Sequence, residues 1–573
     1  MNQTTPAIVS QDAVSRLPRV ALLLFCIAYV LPGFLGRAPW KSADMAAFGY
    51  MAELAHGGSN WFSPKLMGLS PEVDALIPYW LGAWAMQIMP AWIAPDFAAR
   101  IPFLLLLIVT LFATWYGSYY LARSPEAQPV AFAFGGEAQL PDYARAMADG
   151  GLLAFIACLG LAQLSHETTP ALAQLCFTAL SFFGLAALPY RKPTSAICIG
   201  LGLPGLTLSG APSMAILFGA GSVMIHLLDR SSEAGNTQRK ILEATGIALA
   251  TIVSVLLASS LNLWRWRIEL PEASWTEWRS LGRLLLWFTW PAWPLALWTL
   301  WRWRHQLIRG AIPSRHLALP LWFASVAIVA TLTTASADRS LLLALPALAA
   351  LAAFALPTLG RSVASLVDWF TLIFFSGCAF IIWVVWIAMQ TGVPQQPAAN
   401  VARLAPGFVH SFSFGPFLIA ISATLAWAWL VKWRVGRHRS AIWKSLVLPA
   451  GGAALCWLLL MTLWLPLLDF ARSYAPLVHR TMVVMQHQPR CVESFGLNRS
   501  QIAAFQFHGH LQIKPLDVST TCPWLIVDRD AANISPELID LNQWTFHSNI
   551  RHPSDHNEDV LVYKRIEKVN AKR

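Results

Sequence analysis

Long apolar runs recur along the chain from residue 18 to residue 469, separated by short polar turns, and then stop. Many exceed the roughly 18 residues that a helix needs to cross a bilayer. The pattern predicts about thirteen crossings, near 19–36, 101–121, 150–165, 170–188, 194–208, 212–228, 241–262, 283–302, 317–334, 341–358, 366–389, 412–431 and 444–468. Residues 76–92 are apolar but short and lead into Pro90 and Pro95, which suits an interfacial helix. The polar segment 122–147 reads as an inward loop. Beyond residue 470 the charge rises, and P-W-L-I-V-D (523–528) and D-V-L-V-Y-K (559–564) read as short strands. The expected architecture is an all-α polytopic membrane domain over 1–469 and a small α/β domain over 470–573.

Charge orients this layout. Arg16 and Arg19 precede the first run, and nearly every loop predicted to face inward carries Lys or Arg. Positive residues stay on the cytoplasmic side. That places the N-terminus in the cytoplasm, the loop 37–99 outside and, after an odd number of crossings, the C-terminal domain outside as well. The first run lacks a small-residue cleavage site, so it reads as a retained span and not a signal peptide.

Composition agrees. The 573 residues are 56% hydrophobic and 12% charged, about half the charge of a soluble domain, and the mean hydropathy is +0.51. The 28 Trp residues suit membrane–water interfaces. The net charge of +11 is scattered through short loops. It fits topology and anionic lipid, and no nucleic-acid partner is expected. Cys26, Cys158, Cys176, Cys198, Cys378 and Cys456 lie in apolar runs and read as packing residues. Cys491 and Cys522 lie in the polar tail. A disulfide there and two free thiols are both open, depending on which side of the membrane the tail occupies.

The candidate chemistry sits at the outer turns. The predicted spans are nearly free of ionisable groups, which a transporter would place within them. Acidic residues gather instead at Asp44, Glu53, Glu72 and Asp74 in the first outer loop, at Glu167 in S-H-E-T-T-P, and at Asp338 in A-S-A-D-R-S. That is the arrangement of an enzyme working at the outer leaflet.

Within the first outer loop stand K-S-A-D (41–44), G-S-N-W-F-S-P-K-L-M-G (58–68) with Trp61, Pro64, Lys65 and Gly68, P-Y-W-L-G-A (78–83), and D-F-A-A-R-I-P (96–102) with Arg100. Further on come H-E-T-T (166–169), L-S-G-A-P (208–212) and D-R-S-L-L-L-A-L-P-A-L-A-A-L (338–351). In order and spacing this set resembles the polyprenyl-phosphate-sugar glycosyltransferases of the GT-C fold. It is most similar to the lipid A aminoarabinose transferases and the protein O-mannosyltransferases. The chain departs from their pattern at Met45, where the family has Glu, and at Asp74, near the family's E-K-P-P Lys. It departs again at Ser209, in place of the K-G-P Lys, and after Arg339, where a Tyr is missing. The donor's phosphate or sugar is therefore held differently.

The resemblance implies an inner-membrane hexosyl- or pentosyltransferase. Its donor is an undecaprenyl-phosphate-linked sugar and its acceptor a periplasmic glycan, lipid or protein, with inversion at the sugar. Such an enzyme must hold the phosphate with cations, orient the acceptor and take its proton. Asp44 is the candidate base or acceptor-orienting group. Glu167 is the second carboxylate, orienting the acceptor or holding a divalent cation with Asp44. Arg100, Arg265, Arg267 and Arg339 are candidates for the phosphate. Trp61, Lys65, Glu72, Asp74, His166 and Asp338 complete the candidate substrate-binding set.

Each has a plainer alternative: a loop acid or helix cap for Asp44, and a cap for Glu167. Interfacial anchoring would account for Arg100, Arg265 and Arg267, and mutual pairing for Asp338 and Arg339. His508 and His510 in H-G-H lack a third ligand at a recognisable spacing, and no metal is assigned there. The competing classes are a lipid-linked sugar flippase or other transporter, an O-antigen-type polymerase or ligase, and a scaffold that binds lipid-linked sugar without turnover.

Overall fold

The computed structural model describes residues 5–229, 237–264, 274–308, 314–334, 337–435, 441–485, 491–516, 522–534 and 543–566. The chain forms two compact units. The first comprises Met1–Leu35, Pro102–Ile382 and Phe414–Thr462, and the second Gly36–Ile101, Trp383–Ser413 and Leu463–Arg573.

The helices begin with α1 (Arg19–Val30), α2 (Ala43–Ala55), α3 (Ile77–Ile88), α4 (Pro95–Ala122), α5 (Leu140–Ala157), α6 (Leu161–Leu164), α7 (Pro170–Ala187) and α8 (Lys192–Leu208). They continue with α9 (Pro212–Leu228), α10 (Thr237–Ser260), α11 (Trp275–Phe288), α12 (Ala292–Arg302), α13 (Arg304–Ile308), α14 (Arg315–Leu332), α15 (Ala337–Leu342) and α16 (Leu345–Ala355). The last are α17 (Arg361–Thr391), α18 (Gln395–Leu404), α19 (Phe414–Val435), α20 (Val447–Leu463), α21 (Leu465–Arg472), α22 (Ala475–Val484), α23 (Arg499–Gly509) and α24 (Arg529–Ile534).

Every predicted apolar run falls on a helix or a pair of helices. Among the described residues, 7 helical segments are long and apolar enough to cross a membrane, and shorter apolar helices add to them. In the first unit α7 is largely enclosed, whereas α10, α17 and α19 present Leu249, Leu256, Ile373, Phe380, Leu425 and Trp429 outward. Such surface is stable only against hydrocarbon. Without a hydrophobic drive between helices in lipid, close packing holds them together. At α7–α8 a Cβ on Gly202 would lie 2.3 Å from Ser181 Oγ and 2.9 Å from the Ser181 backbone nitrogen. Only glycine allows that approach.

Three helices depart from the sequence reading. α5 begins at Leu140, well inside the expected loop, with Pro141 and Asp142 in its first turn, positions that both residues favour. Asp142 and Arg145 stay partly exposed, whereas Asp149 is buried, and Trp115 Nε1–H donates to its Oδ1 at 2.8 Å. The run 283–302 is two helices broken at Pro291, which cannot donate a helical hydrogen bond. α11 is amphipathic, with Trp275, Trp278 and Trp287 exposed, as an interfacial helix would be. The run 341–358 breaks similarly ahead of Pro346.

In the second unit the C-terminal segment forms a sheet from β1 (Cys491–Phe495), β2 (Gln512–Pro515), β3 (Trp524–Asp528), β4 (Trp544–His552) and β5 (Asp555–Arg565). The order is β2-β1-β3-β5-β4. β1 runs parallel to β2 and β3, while β5 runs antiparallel to β3 and β4. The parallel β1–β2 pair needs a crossover, which α23 supplies. That helix opens on a capping box, Asn498 accepting from the Gln501 N–H. Both predicted strands are present, as β3 and β5. Leu525, Val527, Trp544 and Tyr563 form a core on one face. Cys491 and Cys522 are joined in a disulfide.

Candidate active site

The turn before α2 is built around Asp44. Ser42 takes φ 69°, a left-handed conformation uncommon for a residue with a Cβ, and α2 starts at the next residue. Asp44 is 2% exposed. Its Oδ2 accepts from Arg37 Nη2 at 2.7 Å and from the Trp40 backbone N–H at 3.1 Å. Arg37 is equally buried at 2%, and its guanidinium lies 4.6 Å from the Trp40 ring centroid. Two opposite charges removed from water hold one another, and each is costly alone.

The group extends to the far end of the chain. Trp40 Nε1–H donates to Asp469 Oδ1 at 2.7 Å, and the Ala38 N–H to Asp469 Oδ2 at 3.3 Å. The guanidinium of Arg472, one turn further along α21, lies 5.1 Å from the Trp40 ring centroid. Burial pushes the Asp469 carboxyl above its ordinary range, opposed by the bonds from Trp40 and Ala38 and by the charges of Arg37 and Arg100. Arg100 Nη2 pairs with Asp96 Oδ2 at 2.9 Å, and Arg37, Asp44 and Asp469 also act on its charge. Buried Asp44, Arg37 and Arg100 and the half-buried Asp96 and Asp469 thus form one charged cluster. Sequence reasoning singled out Asp44 and Arg100. It passed over Arg37, Asp96 and Asp469, although Arg37 stands seven residues before Asp44 in the same turn.

The other first-loop candidates line different parts of the second unit. Trp61 stacks on Trp84 at 6.0 Å, and its carbonyl accepts from Trp80 Nε1–H at 2.7 Å. Lys65 is exposed, its backbone N–H held by Ser59 Oγ at 2.6 Å. Glu72 pairs with Arg499 Nη1 at 3.6 Å. Asp74 is half-buried, near Tyr79. α2 packs on α23, with Phe48 and Phe507 rings 4.7 Å apart and Gln506 Nε2 donating to Glu53 Oε1 at 3.0 Å. His508 follows on α23, and burial lowers its pKa against the pull of Asp96.

In the first unit, Glu167 is 5% exposed in the turn before α7. It accepts from Gln163 Nε2 at 3.0 Å and pairs with Arg339 Nη2 at 3.7 Å. His166 is fully buried among Tyr29, Phe34 and Trp457. Its Nδ1 lies 2.5 Å from the Ala162 carbonyl and its Nε2 3.1 Å from the Tyr29 carbonyl. That geometry anchors the turn that carries Glu167. Sequence reading gave no weight to Gln163, one helical turn before Glu167.

Arg265 and Arg267 lie outside the described residues, as does the Asp338 side chain. Among the described residues no group of three or more His, Cys, Asp and Glu side chains is arranged to hold a metal ion.

A membrane domain of this helical order with a small mixed sheet at its end is the GT-C fold. The crystal structure of ArnT from Cupriavidus metallidurans bound to undecaprenyl phosphate matches at a TM-score of 0.61 and 12% identity, over 96% of this chain and 98% of that one. The apo structure of the same protein matches at 0.58 and 13%, over 95% and 98%. No protein-family model matches the chain, and no curated protein matches it in sequence.

Proposed function

We propose that the protein is an inner-membrane glycosyltransferase that moves a sugar from an undecaprenyl-phosphate-linked donor to a periplasmic acceptor. The observation that carries this reading is the likeness to ArnT, which extends over nearly the whole of both chains and includes a structure with undecaprenyl phosphate bound. The buried cluster around Asp44 supports it, because two guanidinium groups desolvated with carboxylates suit a site where phosphate charge is released.

In this reading the acceptor nucleophile attacks the anomeric carbon from the face opposite the phosphate. The bond from that carbon to the phosphate oxygen breaks, and polyprenyl phosphate leaves with the electron pair. Arg37 and Arg100 receive the departing charge, and Asp44 orients the acceptor and takes the proton its nucleophile loses. Arg339 and Glu167 form a second pair that binds substrate in the first unit. The disulfide fits an oxidising compartment, so the C-terminal domain is assigned to the periplasm.

The test uses purified protein in liposomes, a panel of short-chain polyprenyl-phosphate sugars, and envelope extract as acceptor. Release of polyprenyl phosphate that depends on the extract is expected. No release with any donor would overturn the proposal.

A further inference from the structure

A polar cleft of about 580 Å³ opens in the second unit, away from the Asp44 cluster. Glu53, Ser59, Asn60, Ser63, Lys65 and Gln506 are six of its lining residues. Glu53 lies nine residues beyond Asp44 on α2. At 1.5 Å and 100° per residue this is about 14 Å along the axis and on the opposite face. The volume is that of a small-ligand site.

The wall is held in shape before any ligand arrives. Asn60 Oδ1 accepts from the Phe62 N–H at 2.8 Å, and Ser59 Oγ from the Lys65 N–H at 2.6 Å. Backbone bridges join Asn60 to Ser63 and Leu66 to Leu69. Beyond the cleft, Tyr50 Oη–H donates to the Leu69 carbonyl and Arg499 Nε–H to the Ser70 carbonyl. These bonds use acceptors on Asn60 and Ser59, so the amide N–H groups of Asn60 and the hydroxyl proton of Ser59 stay available. Glu53 meets Gln506 through Oε1, which leaves Oε2 and the Gln506 carbonyl oxygen to accept.

The rim therefore offers both donors and acceptors and is nearly neutral, carrying one carboxylate and one ammonium. Vicinal hydroxyls, each both donor and acceptor, match such a rim. A polyanion would find one cation there, and a lipid chain only Met67 and Ile513 as an apolar floor. We infer that this cleft binds an uncharged saccharide, the anchoring part of the acceptor glycan, at a distance from the reacting end. Naming the saccharide an acceptor rests on the glycosyltransferase reading; its binding does not.

The test is an array of defined uncharged and charged bacterial glycans, probed with full-length protein in nanodiscs and no donor lipid. Retention of uncharged glycans is expected. Glu53→Ala and Gln506→Ala should each weaken it at least tenfold. So should Gly58→Ala, whose Cβ would stand 2.2 Å from Glu53 Oε2 and displace it without removing a polar group. Retention of no uncharged glycan, or retention unchanged in all three variants, overturns the proposal. Saccharide binding without polyprenyl phosphate release in the liposome assay would leave the cleft standing and remove the transferase.

Discussion

Asp44→Asn tests whether the buried pair at the head of α2 serves chemistry or only stability. The change keeps an oxygen for the Trp40 N–H and for Arg37, but removes the charge that matches the guanidinium. With charge centres about 4 Å apart and an effective dielectric of 20, the gross attraction is about 4 kcal/mol. Removing one partner of such a pair typically costs about 3–5 kcal/mol. Asn retains the hydrogen bonds, so a loss of about 2–3 kcal/mol is expected, visible as a lower Tm in detergent. Arg37→Met in the same chain removes the stranded charge, and the double variant should recover most of that Tm. Polyprenyl phosphate release should behave otherwise. It should fall at least a hundredfold in Asp44→Asn and stay low in the double variant, which lacks both the acceptor-orienting carboxylate and one of the guanidinium groups that receive the phosphate charge. Recovery of release together with Tm would refute this reasoning and reduce Asp44 to a stabilising partner.

Three further outcomes follow from the geometry. Asp469 has a raised pKa, so the folded state binds the proton more tightly than the unfolded chain. Stability should therefore fall as pH rises from the ordinary carboxylate value through the raised one, and Asp469→Asn should abolish that slope in Tm measured from pH 3.5 to 7. The disulfide spans a sequence separation of 31. Its reduction should destabilise the C-terminal sheet by about 2–4 kcal/mol, read as faster proteolysis of the tail while the membrane helices stay protected. Gly202→Ala should force α7 and α8 apart and cost about 1–3 kcal/mol, checked by thermal unfolding in detergent.

The helices were legible because a lipid-facing or enclosed span must be apolar over its length, and nothing else in a sequence looks like that. α5 hid its start because Asp142 and Arg145 fall in a polar stretch that reads as loop, whereas they occupy the partly exposed first turns of the helix. The strands β3 and β5 showed as apolar runs, whereas β2, with Lys514 and Pro515, did not. Asp44 stood out as an isolated acid just past an apolar run. Arg37 did not, since an arginine beside a span is first read as a topology signal. Asp469 was invisible as a partner, because nothing local says that the end of the last apolar run returns to Trp40. That link exists only in three dimensions.

It also sets an order in time. Asp469 reaches the ribosome's exit 429 positions after Trp40. At about 5–20 residues per second, the gap is on the order of 20–90 s. Through that interval every nascent copy carries the loop's future buried charges with their last partner not yet made. The earlier membrane helices are therefore made before the cluster can be complete, and its last carboxylate arrives only with the end of the final apolar run.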